Sequence, residues 1–238
     1  MSGKTGREVV VAVVESAAGA DPEWFGVGRR SYGRESQAPL RDTRSAISRP
    51  PSPRSLGIAD ELEPDEWKVL QRPPGNLDER AQIEATWRLE GLSVLAWALG
   101  PFELPAYDQH VHPQALIRSL GFPDAEASRQ LLAALSLRPP AEVEALRKQL
   151  LGLHWRLRDY TLRPQAMDFR AFARDCWFGP LDISPFRLIA DDLALGDHAI
   201  NDAPEDVLRS ALSAAMERHK AINWLTVGGV YSQTDTST

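Results

Sequence analysis

The chain has 238 residues, 43% of them hydrophobic and 25% charged, as in a globular protein with a packed core. The single cysteine, Cys176, excludes an internal disulfide framework, and no apolar run reaches the roughly 18 residues that a membrane-spanning helix needs. The net charge is −6 although seven arginines lie between residues 29 and 54, so the rest of the chain is acidic, which argues against nucleic acid as its partner.

The first 55 residues read as an N-terminal extension. Residues 8–14, EVVVAVV, are rich in β-branched side chains and predict a strand. The apolar part is shorter than the core of a secretion signal, so we expect a cytoplasmic protein. The following segment is rich in Arg, Ser, Gly and Pro and predicts a flexible arm with too little apolar surface to form a core.

Residues 56–238 predict a single, mainly helical domain. A short helix around EPDEWKVL is followed by a long one over 78–99, which is apolar on all sides after residue 89 and therefore central. Two shorter helices follow at HPQALIRSL and DAEASRQLLAAL, then an amphipathic helix from PPAEVEAL to RDYTL and a short one at DFRAFARD.

The pattern changes to a two-residue period near 192–201, where DLAL and HAI flank Gly196 and Asp197. This pattern predicts a small β-hairpin with a type II′ turn, packed on the helices or paired with the possible strand 8–14. Beyond it, Asp202 and Glu205 have the spacing of a capping box, which predicts Asp202 as the N-cap of a last helix that runs to about residue 225.

Common catalytic and metal-binding motifs are missing from the sequence. The SGKT near the start lacks the upstream glycine and strand of a phosphate-binding loop. His110 and His112 form too small a set for a metal site, and we expect them to be solvated loop residues. Cys176 has no readable base beside it, so we expect a small buried hydrophobe rather than a nucleophile. Because the usual motifs are missing, we expect neither a metal nor a cofactor.

The strongest candidate site consists of polar residues on buried helix faces. Glu90 lies in the apolar part of the central helix, His154 at the margin of the amphipathic stripe, and His219 on the inner face of the last helix. On that helix we expect Glu217, Arg218 and Lys220 to reach water. Either Glu90, His154 and His219 form a pocket suited to acid–base chemistry or ligand binding, or they belong to a structural network with the partners Arg88, Arg218 and Asn223.

Several blocks of the sequence, among them WRLEGLSVLAWALGPFELP, LLGLHWRLRDY, CWFGPLDIS and ERHKAINWL, resemble the bacterial family "domain of unknown function 4272" over roughly residues 60–226. The resemblance implies a compact, mainly helical domain with a small hairpin, and it implies no activity. The arginine-rich start departs from the helical lead-in that the resemblance implies.

Three functions remain open at this stage. The first is an accessory or regulatory protein that binds a protein partner, with an immunity-type protein as a specialised form. The second is an enzyme or small-molecule binder that uses Glu90, His154 and His219. The third, nucleic-acid binding through the arm over 29–54, has the least support, and the sequence does not give the oligomeric state.

Overall fold

The computed structural model describes residues 63–70, 78–121 and 124–238. The possible strand 8–14 and the arginine-rich arm lie outside these residues, so the division into an extension over 1–55 and a domain over 56–238 stays a prediction.

Helices dominate the described part of the chain, which confirms the mainly α class. The helices are α1 (Pro64–Leu70), α2 (Glu79–Leu99), α3 (Pro113–Ser119), α4 (Ala125–Ala134), α5 (Pro140–Leu162), α6 (Phe169–Asp175) and α7 (Glu205–Val227). The strands are β1 (Leu188–Ile189), β2 (Asp192–Leu195) and β3 (His198–Ala199). Within the described ranges, no helix is both long and apolar enough to cross a membrane.

Helix α2 is the central helix, as its sequence predicts. The Asp78 side chain caps it by accepting the Ala81 N–H at 2.9 Å, and Gly100 ends it with a positive φ of 96° that favours glycine. From Leu89 to Leu99, every residue except Trp97 is buried. The apolar run therefore has neighbours on all sides.

Two hydrophobic clusters lie one after the other along α5 and α7. The first cluster includes the buried half of α2, Leu150 of α5 and Ile222 of α7. The second cluster holds Leu153 and Leu157 of α5 together with α6 and the sheet. Helix α7 packs against both α2 and α5, so two separate faces of this helix are buried.

The predicted hairpin is present as β2 and β3, with Leu195 opposite His198. Gly196 has a φ of 57° while Asp197 does not have a positive φ, which fits the type II′ turn. The sequence did not predict β1, which pairs antiparallel with β2. The turn between β1 and β2 places Ala190 and Asp191 in the left-handed region without a glycine, so it lacks the usual hairpin signal.

The predicted start of the last helix is wrong. Helix α7 begins at Glu205 with Pro204 as its N-cap, and Asp202 closes a 3₁₀ turn over Ile200–Asp202 instead. The residue before a proline avoids the helical region, so Ala203 is extended, with φ of −70° and ψ of 138°. This conformation prevents a helix from continuing through Ala203.

The chain folds back after α7 in a 3₁₀ turn over Tyr231–Gln233. The Tyr231 ring makes an edge contact with Trp224, with 5.7 Å between centroids, and its hydroxyl oxygen lies over Gly91 of α2. A Cβ added at Gly91 would be 2.5 Å from that oxygen and 3.2 Å from the carbonyl oxygen of Glu217. Gly91 therefore allows Tyr231 and α7 to approach α2 closely.

We expect Gly91→Ala to lower the free energy of unfolding by about 1 to 3 kcal/mol, because the overlap with Tyr231 outweighs the better helix propensity of alanine. In a Tyr231→Phe background, which removes the overlapping oxygen, the same change should be at least about 1 kcal/mol less harmful. Urea denaturation of the four proteins measures both values. Equal effects in the two backgrounds would contradict the contact.

Candidate functional site

Glu90 and Arg218 form a buried ion pair between α2 and α7. The two side chains are 3% and 2% exposed, and the Arg218 Nε and Nη2 atoms donate to Glu90 Oε2 at 2.9 and 2.7 Å. Arg218 was predicted to reach water, and this prediction is wrong. The prediction assumed one buried face on α7, whereas α2 and α5 cover two.

The segment between α2 and α3 completes this ion pair. His110 Nδ1 and the Val111 N–H donate to Glu90 Oε1 at 2.9 and 3.1 Å. Arg218 Nη2 donates to the carbonyl oxygen of Gln109 at 2.6 Å. Burial alone would raise the pKa of Glu90, but the hydrogen bond from His110 and the charge and hydrogen bonds of Arg218 lower it below its usual value. The Glu90 carboxylate is therefore ionised, and both of its oxygens accept hydrogen bonds.

His154 and His219 form a second buried pair, between α5 and α7. Their Nδ1 atoms are 3.0 Å apart, and the Asn223 amide nitrogen lies 3.1 Å from His219 Nε2. The same amide nitrogen donates to the Asp235 carbonyl oxygen at 3.1 Å, which fixes the orientation of the amide. We infer that His219 accepts from Asn223 at Nε2 and donates from Nδ1 to His154.

Both histidines of this pair are neutral near pH 7. Burial, with a smaller contribution from the Arg158 charge, lowers the pKa of His154 to about 4. Burial, followed by the charges of His154 and Arg147, lowers the pKa of His219 to about 4, while Asp235 acts in the opposite direction. A protonated ring would lose the acceptor nitrogen that the pair requires.

The residues predicted as one site therefore lie in two networks. Glu90 belongs with Arg218, and His154 with His219 and Asn223; among the described residues, no hydrogen bond joins Glu90 to either histidine. Arg88 is half-buried on another side of α2, where its charge acts on Glu217 and Tyr231.

Glu217 is a half-buried carboxylate whose pKa is shifted in the opposite direction to that of Glu90. Its Oε2 atom is buried and has no hydrogen-bond partner among the described residues, and burial raises the pKa of Glu217, although Lys220 and Arg88 partly offset this effect. The residue was predicted to reach water, but it is half-buried in the structure.

A third buried network, centred on Arg156, was not predicted from the sequence. Arg156 is fully buried in α5, and its Nε and Nη2 atoms donate to the two carboxylate oxygens of Asp192 at 2.8 and 2.5 Å. Asp192 also accepts the N–H groups of Met167 and Leu193 at 3.0 and 2.8 Å. In the sequence, Arg156 lies between Leu153 and Leu157, which both face the core. This position is the sequence signal that Arg156 is buried as well.

The two loop histidines that were predicted to be solvated are exposed, and both also make hydrogen bonds. His112 caps α3 by accepting the Ala115 N–H at 3.4 Å. His110 contacts Glu90 through one ring nitrogen and Ser210 of α7 through the other, at 2.7 Å. Within the described residues, no three His, Cys, Asp or Glu side chains group as metal ligands, and the Cys176 thiol donates to the Gly179 carbonyl oxygen.

Fold and site together define a helical domain in which buried polar pairs join three helices and a small sheet. The chain belongs to the family described as "Domain of unknown function (DUF4272)", whose model matches residues 46–170, just over half of the chain. This match confirms the predicted family over a range that starts and ends earlier than predicted, so it includes Glu90 and His154 but not Arg218 or His219. No curated protein and no solved structure matches the chain.

We expect His219→Ala to lower the free energy of unfolding by about 1 to 3 kcal/mol near pH 7, because His154 and Asn223 each lose a partner. The unfolded chain takes up protons below pH 6.5, but the folded pair does so only near 4. Stability of the wild type should therefore fall as the pH drops through this window, and the variant should lose part of this dependence. Urea denaturation across this pH range measures both effects.

His198→Ala is the matched control, because His198 is exposed at the hairpin and should change neither quantity. An unchanged stability of His219→Ala would contradict the structural role of the histidine pair.

Glu90→Gln and Glu217→Gln should have opposite effects on stability. The first leaves Arg218 buried without its counter-charge, so we expect a loss of about 3 to 5 kcal/mol. The second removes a carboxylate that is costly to ionise, so we expect no loss and a gain of up to about 1 kcal/mol near pH 7. Denaturation of both variants side by side tests the contrast, which fails if Glu217→Gln destabilises as much as Glu90→Gln.

Proposed function

We propose that this protein is an accessory or regulatory module that acts by binding a protein partner, and that Trp177 is the centre of the binding surface. The observation that carries the proposal is the exposure of this indole, whose residue is 89% accessible. Tryptophan is the residue type most enriched among the residues that dominate binding energy at protein interfaces.

Trp177 projects from a rigid aromatic base. Its ring meets Phe178 edge-on at 5.1 Å, and Phe178 in turn contacts Trp155 and Phe172, whose rings stack at 4.1 Å. Such a base holds the Trp177 backbone in place before any partner arrives, so binding requires little ordering of the chain.

The turn that carries Trp177 is held by its own hydrogen bonds. The Gly179 N–H donates to the Cys176 carbonyl oxygen at 3.0 Å, and the Leu181 N–H donates to the Ala173 carbonyl oxygen at 2.8 Å. Gly179 has a φ of 105°, a conformation that favours glycine at this turn.

Exposed charged residues precede Trp177 in the sequence, at the end of α6. Arg174 and Asp175 at the end of α6 are exposed, as is Arg170 one turn earlier, where it lies 3.5 Å from Asp191. An apolar centre with a polar rim is the usual composition of a reversible protein interface. The partner that fits this surface offers an apolar pocket for the indole and mixed charges around it.

The arrangement of the buried polar residues also supports a binding role. Glu90 is buried in contact with side chains and the Val111 N–H, and His154 and His219 are buried in contact with each other, as expected for residues that fix helix positions. An enzyme or small-molecule binder that used these three side chains together would need them at one open cleft. We therefore favour partner binding over this alternative.

We also propose that the protein lies in the cytoplasm of a bacterium, which agrees with its predicted family and its single cysteine. An immunity-type protein that neutralises a toxin is one form that such a module can take. Nucleic-acid binding through the arm over 29–54 has less support, since most of the chain is acidic.

We expect Trp177→Ala to abolish capture of the partner while the melting temperature stays close to that of the wild type, because the side chain is largely exposed. The measurement is a quantitative pull-down from the organism that encodes the chain, with recovery compared to the amount of bait.

Leu162→Ala provides the matched control, because Leu162 is 70% exposed at the end of α5 and lies outside the aromatic cluster. A protein recovered in near-equal amount by wild type and Leu162→Ala, and lost with Trp177→Ala, is the expected result. Failure of the wild type to recover any protein near stoichiometry, or equal recovery by Trp177→Ala, would refute the proposal.

A further inference from the structure

Ser210, His110 and Glu90 form a continuous chain of hydrogen bonds. Ser210 Oγ lies 2.7 Å from His110 Nε2, and His110 Nδ1 lies 2.9 Å from Glu90 Oε1. The three residues come from α7, from the segment before α3 and from α2, so tertiary packing brings them together.

The order of the groups matches a nucleophile, a base and the acid that orients the base. The Glu90 carboxylate accepts from Nδ1–H of His110, which leaves the lone pair of Nε2 directed at the Ser210 hydroxyl. This is the tautomer in which a histidine takes a proton from a serine. Arg218 and the Val111 N–H hold the carboxylate itself in place.

Ser210 differs in its bonding from other hydroxyl side chains in the helices. Ser213 and Thr226 of α7 and Thr161 of α5 each donate to a carbonyl oxygen of their own helix, four residues earlier. This local bond is the usual one for serine and threonine within a helix. Ser210 instead forms a hydrogen bond with His110, which is 100 residues away in the sequence.

The acid of this hydrogen-bond chain is buried, whereas the base and the nucleophile are partly exposed. Glu90 is 3% exposed, the His110 side chain is 50% exposed, and Ser210 lies half-buried at the surface of α7. Trp87 supports the imidazole from one side, with ring centroids 5.8 Å apart in an edge contact. Ser210 and His110 are therefore partly accessible from solvent, while the acid is buried.

We propose that Ser210 is a nucleophile for acyl transfer from carboxylic esters, with His110 as its general base and Glu90 as a positioning residue. Ser210 Oγ forms a bond to the ester carbonyl carbon while its proton moves to His110 Nε2. The bond to the leaving alkoxide or phenoxide then breaks, the leaving oxygen takes the proton from His110, and the acyl group stays on Ser210. Attack of water with the same proton transfers releases the carboxylic acid and restores the serine.

The position of Ser210 determines which esters suit the site. Ser210 lies inside α7, where the N–H groups around it are engaged by the helix, so the backbone does not provide the N–H pair that stabilises an oxyanion in many hydrolases. The site therefore suits esters whose leaving group is stable without this help. Aryl esters of short acids are the substrate class of this kind.

The test uses the full chain with two probes, p-nitrophenyl acetate and a fluorophosphonate that reacts with activated serines. We expect the fluorophosphonate to modify the wild type once, at Ser210, and p-nitrophenyl acetate to be hydrolysed faster than in buffer. Both reactions should disappear in Ser210→Ala and fall by about 100-fold in His110→Gln, since general base catalysis contributes factors of this size.

Ser213→Ala is the matched control, because Ser213 lies one turn further along α7 and its hydroxyl donates to the Arg209 carbonyl oxygen. This variant should react as the wild type does. Melting curves of all variants establish that a loss of reaction is not a loss of fold, since Ser210 and His110 are partly exposed.

The positioning role of Glu90 has its own readout. The labelling rate of the wild type and of Glu90→Gln is measured across pH, and the two profiles should differ, because the amide carries no charge beside the His110 ring. An unmoved profile would refute the role of Glu90.

The proposal fails if the wild type is not labelled under conditions that label a known serine esterase, or if Ser210→Ala or His110→Gln is labelled as fast as the wild type. It is independent of partner binding, because it rests on Ser210, His110 and Glu90 and not on Trp177. The two proposals can therefore fail separately.

Discussion

The buried ion pair between Glu90 and Arg218 is the interaction on which the arrangement of this domain depends. The apolar half of α2 presents similar residues in every direction, so hydrophobic packing alone would tolerate several rotations of this helix. Glu90 lies in this half of α2 and is ionised. Only the rotation that brings Glu90 against Arg218 therefore avoids burying an unpaired charge. The pair thereby selects one rotation of α2 against α7, and it recruits the segment before α3 through His110 and Val111.

Helix α7 connects this pair to the rest of the molecule. Arg218 and His219 are neighbours in the sequence, and successive residues of a helix point about 100° apart, so one side chain reaches α2 and the other reaches α5. The two contacts differ in chemistry, since the first joins opposite charges and the second joins neutral rings. Arg156 and Asp192 then attach the sheet to α5 by a second buried charge pair.

Much of the fold could be predicted because its signals are local. Prolines, glycines and apolar periodicity indicate where most helices begin and end, and Gly196 identifies the hairpin turn. Glu90, His154 and His219 could be recognised as buried polar residues because each interrupts an apolar face. Arg218 and Asn223 could be named as candidate partners, but the pairing itself could not be predicted, because no local pattern links Glu90 to a residue 128 positions later. His110 and Ser210 carried no signal at all, since a loop histidine and a helical serine are usually solvated.

The segment over 100–112 looks like an ordinary connection between α2 and α3, and connections usually accept insertions and deletions. In this protein the carbonyl oxygens of Ala106 and Gln109 bind Arg218, the Val111 N–H binds Glu90, and the Tyr107 hydroxyl donates to the Ala194 carbonyl oxygen of β2. Adding or removing one residue would shift these groups by more than 3 Å and separate each from its acceptor or donor. The spacing of this connection is therefore as constrained as that of a helix, and evolutionary changes in chain length should fall elsewhere.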